Sequence, residues 1–134
     1  AVDTSEGLVV PVIKNASEKK IKDLAEELTI LSNKARNKKL LPKDMEGGCF
    51  TISSLGGIGG TYFTPIINPP EVAILGISRS SLEPIFLENK FRKRLILPFS
   101  ISYDHRVIDG AHAARFTNRL SQLLSSLEEI TNTL

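Results

Sequence analysis

The chain has one cysteine, two histidines, no apolar run of membrane-spanning length and almost no charge bias, and each shortage removes a class of explanation. A lone thiol cannot close an internal disulfide. Cys49 lies in "GGCFTIS", whose apolar character predicts a buried, unreactive thiol, and a reducing cytosol is the expected compartment. The two histidines do not stand at a helical i, i+4 spacing, and with one cysteine they cannot form the usual zinc ligand set, so no metal is expected. The longest apolar runs, "GLVVPVI", "VAILGI" and "LILPFSI", have strand length, short of the roughly 18–20 residues a spanning helix needs, and predict a soluble chain. No basic-then-apolar leader opens the sequence, which begins at Ala1 directly in a strand-like run. Preceding sequence is therefore expected to have been removed, or the chain to be a fragment. The 17 basic and 15 acidic side chains balance to +2, too even for a nucleic-acid surface.

With 134 residues, 41% of them apolar, the chain is expected to form one globular domain or part of one. "LVVPVI" at 8–13 predicts a buried strand, with Pro11 placing it near an edge or bulge. From Ser17, the expected N-cap, apolar residues at 21, 24, 25, 28, 31 and 35 form one face of a helix, and the charged residues form the other. That helix is expected to lie across a sheet. "CFTISSL" predicts a strand that ends at "GGIGG", where four glycines in five positions imply unusual dihedrals or close backbone approach. "EVAILGIS" and "KRLILPFSISY" predict two more strands, the second long enough to cross the sheet. Ala113, Phe116, Leu120, Leu123, Leu124 and Leu127 predict a second amphipathic helix beginning at Gly110. The fold class is α+β, a two-layer sandwich with a mixed sheet covered by helices.

"SYDHRVIDGAH" holds both histidines at a strand-to-helix junction, where a scaffold fixes a loop. An imidazole with an ordinary pKa of about 6.5 is suited to take a proton from a thiol or hydroxyl near neutral pH. His105 is the candidate base. Asp109 precedes the helix, where its carboxylate can cap the first turn; it can also orient His105 or fix its loop. Asp104 and Arg106 can pair with each other or with other groups. His112, inside the helix, reads as a surface residue. Ser53 and Ser54 close a strand, an ordinary position for serine. "GGIGG" lacks both the lysine of a phosphate loop and the dinucleotide-binding spacing, which disfavours nucleotide hydrolysis. "NKFRKR" at 89–94 is either a solvated outer face or turn, or a contact for an anionic group such as a nucleotide phosphate.

Three segments, "AVDTSEGLVVPVIKNA", "FTISSLGGIGGTYFTPIINPPEVAILGI" and "LPFSISYDHRVIDGAHAARF", together resemble the catalytic domain of the dihydrolipoamide acyltransferases of 2-oxo acid dehydrogenase complexes. The D-H-R-x-x-D-G signature after an apolar strand is specific to that context, and the middle segment is most similar to the branch serving bacterial pyruvate dehydrogenase complexes. The resemblance implies a fold like that of chloramphenicol acetyltransferase, built as a homotrimer within a larger hollow core. It implies that residues 1–134 are the C-terminal portion of a single catalytic domain that begins before Ala1.

It also implies acetyl transfer between a dihydrolipoyl group, carried on a separate lipoyl domain, and coenzyme A. The expected partners are lipoyl domains and the pyruvate dehydrogenase and dihydrolipoamide dehydrogenase components. By the same resemblance His105 is the base, Asp109 its accompanying acid and Ser53 the oxyanion donor. Asp3, Ser53, Ser54, Ser78 and Ser80 line the coenzyme A channel. Two other readings stand beside this one: a non-catalytic core module, and a transferase for another acyl group or a small free acceptor.

Overall fold

The computed structural model describes residues 1–126, which form seven short strands and two helices. Strands β1 (Val2–Thr4) and β2 (Gly7–Val9) make an antiparallel hairpin that sets Val2 opposite Val9. Its turn is closed by the Thr4 hydroxyl, which donates to the Gly7 carbonyl at 2.6 Å. The strand expected over 8–13 therefore stops early. Pro11 has no N–H to continue a ladder, and Val12 N–H donates to the Asp44 carbonyl instead, at 2.8 Å.

Helix α1 (Ile21–Arg36) follows the expected apolar period, but Ser17 is not its cap. Ser17 sits in a separate 3-10 turn (Ala16–Glu18), and extended Lys19 and Lys20 carry its hydroxyl away from the first-turn amides of α1. Leu31 and Ala35 are buried, whereas Ile21 and Leu28 remain more than half exposed. The helix packs on β1. Its apolar face thus covers the N-terminal hairpin at one end only.

The central sheet is mixed. Strand β3 (Thr51–Ser54) runs parallel to β4 (Ala73–Ile77), which pairs antiparallel with β7 (Phe99–Tyr103). The uninterrupted apolar run in β4 reflects its central place, and Ala73, Ile74 and Leu75 are core residues. The expected single strand over "KRLILPFSISY" is broken at Leu97–Pro98. Its first half, β6 (Lys90–Ile96), folds back on β5 (Ser81–Leu87), a strand the apolar pattern did not reveal. Glu88 and Asn89 turn this hairpin with φ of 51° and 59°, the primed-turn geometry that matches strand twist. "NKFRKR" is thus part turn and part exposed strand, the solvated arrangement. Cys49 is exposed in this chain, against the buried thiol expected, because it lies in the irregular segment ahead of β3, outside the core.

Helix α2 (Gly110–Ser125) starts where expected and packs against β7, with Ala113 buried and Phe116 6.0 Å from Phe50 between ring centroids. Leu127, assigned to its apolar face, lies outside the described residues. No helix among the described residues is long and apolar enough to cross a membrane.

Gly76, in the middle of β4, is the tightest point of the sheet. A Cβ there would stand 2.8 Å from the Phe63 ring and 3.0 Å from the Ser100 hydroxyl. That hydroxyl in turn donates to the Phe63 carbonyl at 2.6 Å, pinning the long β3–β4 connection over the sheet. Overfilled cores lose about 1–3 kcal/mol. Gly76→Ala is expected to lower the denaturant midpoint by an equivalent amount with an unchanged m-value. An unaltered midpoint would show that Phe63 moves aside freely.

Candidate functional site

The register of the central sheet sorts the candidate residues into two groups at opposite ends. Ser53 aligns with Gly76 and then Ser100, and Ser54 with Ile77 and then Phe99. Leu55 N–H extends the pairing to the Ile77 carbonyl at 2.9 Å, and Ser78 follows directly, 3% exposed, with its N–H donating to the Pro98 carbonyl at 3.0 Å. The backbone of Gly56 lies against both Ser54 and Ser78, at 3.6 and 3.8 Å from its ideal Cβ position. Gly59 and Gly60, with φ of 134° and 91°, take the chain out of the turn through conformations that L side chains rarely adopt. Ser80 is exposed just before β5, and Asp3 is exposed on β1. The start of β1 is held beside β3 by the Ala1 amino group, which donates to the Ile52 carbonyl at 2.8 Å. The serines Ser53, Ser54 and Ser78 thus gather at the C-terminal end of β3 and β4.

His105 belongs to the other end. It follows β7, whose last residue, Tyr103, aligns with the first residue of β4, Ala73. From the level of Ser53 to that of Tyr103 is about 10 Å along the strands and about 10 Å across two strand spacings. Within one chain Ser53 and His105 are therefore not brought together.

The turn around His105 is closely determined. Tyr103 stacks obliquely on the imidazole, 5.8 Å between ring centroids, while its hydroxyl lies 3.6 Å from where a Cβ on Gly110 would be. One aromatic side chain thus spans from the histidine to the start of α2. Asp104 pairs with Arg106 through the guanidinium Nε and Nη2, at 2.9, 3.1 and 2.6 Å. These bonds, with one from the Arg106 amide, hold its carboxyl down to about 2. His105 is exposed and faces a cleft of about 660 Å³. The cleft is also lined by Ile67, Pro69, Pro70, Glu71 and Val72. Glu71 is fixed by the buried Thr51, whose hydroxyl donates to it at 2.6 Å.

Asp109 is the N-cap of α2: its Oδ1 accepts the His112 N–H at 2.7 Å. That backbone bond is the main cause of its lowered pKa, with Arg115 and His112 adding to it. His112 itself is exposed. A carboxyl with a depressed folded pKa stabilises the fold above its unfolded value, about 3.9, and the contribution is lost as pH falls through the lower folded value. Asp109→Ala is accordingly expected to lower the melting temperature by a few degrees at pH 7. The gap to the parent should shrink in acid, as thermal scans at pH 7 and pH 3 would reveal; a gap independent of pH would refute the charged cap.

The family model described as 2-oxoacid dehydrogenases acyltransferase (catalytic domain) matches residues 1–132. The dihydrolipoyllysine-residue acetyltransferase component of the pyruvate dehydrogenase complex from Haemophilus influenzae is 59% identical over 130 residues, 97% of this chain and 23% of that protein. The corresponding Azotobacter vinelandii protein is 58% identical over 130 residues, 97% of this chain and 20% of its own length. Among solved structures, the Azotobacter vinelandii dihydrolipoamide acetyltransferase superposes with a TM-score of 0.93 at 58% identity, covering 97% of this chain and 54% of that one. That structure comes from an investigation of the roles of a serine, a histidine and an asparagine in the catalytic mechanism. A cubic core of the pyruvate dehydrogenase multienzyme complex superposes with a TM-score of 0.92 at 57% identity, covering 96% of this chain and 53% of that one. The chain spans about half the length of these solved chains and about a quarter or less of these two curated relatives.

Proposed function

The chain belongs to the 2-oxoacid dehydrogenase acyltransferase catalytic-domain family, and from that premise we propose that it is the C-terminal portion of one such domain. The domain moves an acetyl group between the dihydrolipoyl arm of a lipoyl domain and coenzyme A within a pyruvate dehydrogenase complex. The observation that carries this reading is an agreement of intervals. The serine, histidine and asparagine investigated in the Azotobacter vinelandii enzyme stand at the same separations as Ser53, His105 and Asp109.

A thiol with a pKa of about 8.5 is mostly protonated at neutral pH, so attack needs a base. His105 takes the coenzyme A thiol proton as the sulfur bonds to the carbonyl carbon of the acetyl-dihydrolipoyl thioester. The carbonyl oxygen becomes an oxyanion that accepts a hydrogen bond from the Ser53 hydroxyl. Collapse breaks the bond from carbon to the lipoyl sulfur, and the imidazolium returns its proton to that departing thiolate. No acyl-enzyme forms, and the reverse reaction exchanges the two thiols. Asp109 seats the start of α2 and so the segment that follows the base.

The family resemblance implies that His105 of one subunit meets Ser53 of its neighbour across a trimer interface, and the placement of the two residues at opposite ends of one sheet supports that reading. Asp3, Ser54 and Ser80, all exposed, and the buried Ser78 line the coenzyme A approach in this reading. The deciding experiment is coenzyme A-dependent acetyl transfer to dihydrolipoamide by the full-length protein. Turnover with acetyl in preference to succinyl or branched-chain groups is the expected result. No transfer to any dihydrolipoyl acceptor would leave a structural core module as the better reading.

A further inference from the structure

We propose that Asp104 is the positioning residue of the His105 turn, its carboxylate serving as a backbone acceptor and Arg106 as its counter-ion; this rests on the acyl-transfer reading of His105. Among the described residues the imidazole makes a ring contact with Tyr103 and no hydrogen bond, so its position depends on that contact and on the backbone that carries it. That backbone is fastened through one residue. The Asp104 N–H donates to the Val72 carbonyl at 2.8 Å, which continues the β4–β7 pairing one step past Tyr103 and ties the turn to a neighbouring residue that also lines the cleft. The Asp104 carbonyl accepts from Val107 and Ile108 N–H at 3.0 and 2.9 Å, and its Oδ1 accepts the Arg106 N–H at 2.9 Å. A carboxylate bonding the amide two residues on is an Asx turn, a local closure that aspartate and asparagine both make. Its loop brackets His105 on both sides.

The two interactions of the carboxylate differ in weight. The Arg106 side chain is 89% exposed, and ion pairs in water are weak and screened by salt. The Asx bond fixes backbone, where a small displacement of a base costs up to about a hundredfold in rate. Asparagine preserves the acceptor and loses the charge; alanine loses both.

In the full-length protein, Asp104→Ala is expected to lower kcat about 10- to 100-fold with both substrate KM values within about twofold. Asp104→Asn and Arg106→Gln are expected to stay within about threefold of wild-type kcat, since each keeps the Asx acceptor and its amide. Wild-type kcat in Asp104→Ala, or Asp104→Asn as impaired as Asp104→Ala, would overturn the proposal. A wild-type protein without acetyl transfer would refute the acyl-transfer reading instead. Carbethoxylation of His105 by diethyl pyrocarbonate, followed by peptide mass spectrometry, reads the turn independently of activity. The rate at His105 should change in Asp104→Ala and hold in Asp104→Asn. Equal rates in all three proteins would overturn the positioning role.

Discussion

His105→Ala in the full-length protein is expected to lower kcat for acetyl transfer by about 10²–10⁴-fold, the range removed with a general base. The reason lies in thiol chemistry. At pH 7 only a few per cent of a thiol with a pKa of about 8.5 is thiolate, and the same group must reprotonate the leaving sulfur. The exposed imidazole faces an open cleft, so substrates should bind the variant with little change in KM. Raising the assay pH supplies thiolate from solution, and the variant should regain activity relative to wild type as pH rises from 7 to 9. Wild-type kcat in His105→Ala would remove the base from the mechanism.

The second large effect is expected at Ser53. Removing one donor to a tetrahedral oxyanion costs about 10²–10³ in kcat, equivalent to roughly 2.7–4 kcal/mol. Ser53 is half-buried on β3, and its backbone is held by pairing with Gly76 whatever its side chain. Ser53→Ala should therefore fold and assemble as wild type and lose turnover, with a loss that does not shrink at high pH. That pH independence separates it from the His105 variant, because no solution species replaces an oriented donor. Unchanged kcat in Ser53→Ala, or a loss that alkaline pH repairs, would place the oxyanion elsewhere.

The parts of the fold legible in the sequence were those where one physical signal dominates. The 3.6-residue apolar period fixed both helices, and Asp109 before Gly110 marked the start of α2 as its hydrogen bond to His112 bears out. The buried run in β4 and the serines closing β3 were equally plain. Competing signals hid the rest. "KRLILPFSISY" reads as one strand because proline is rare but tolerated at edges; that Lys90–Ile96 pairs backwards with "SLEPIFL" depends on a left-handed Glu88–Asn89 turn that carries no glycine. Ser17 offered a cap by residue type, but the extended pair Lys19–Lys20 separates it from α1. The apolar neighbours of Cys49 suggested burial, while the backbone there leaves the core before β3 begins.

The candidate site was legible in its residues and not in its layout. Histidine in a strand-to-helix turn and serine before a glycine turn can be read from residue type and context. Their placement at opposite ends of a three-stranded sheet follows from register, which one chain's periodicity does not reveal. The Asp104 network is likewise invisible in sequence, since aspartate and arginine two residues apart can pair with each other or with distant partners.

The central claim is that each site takes its base and its oxyanion donor from different subunits, and mixing tests it most directly. His105→Ala and Ser53→Ala proteins, each nearly inactive, are dissociated, combined in equal amounts and allowed to reassemble. In a cyclic trimer with neighbour-shared sites, random mixing restores an intact His105 and Ser53 pair at about a quarter of the interfaces. Turnover near that fraction of wild type is the predicted result, and a mixture no more active than its two parents would contradict the account.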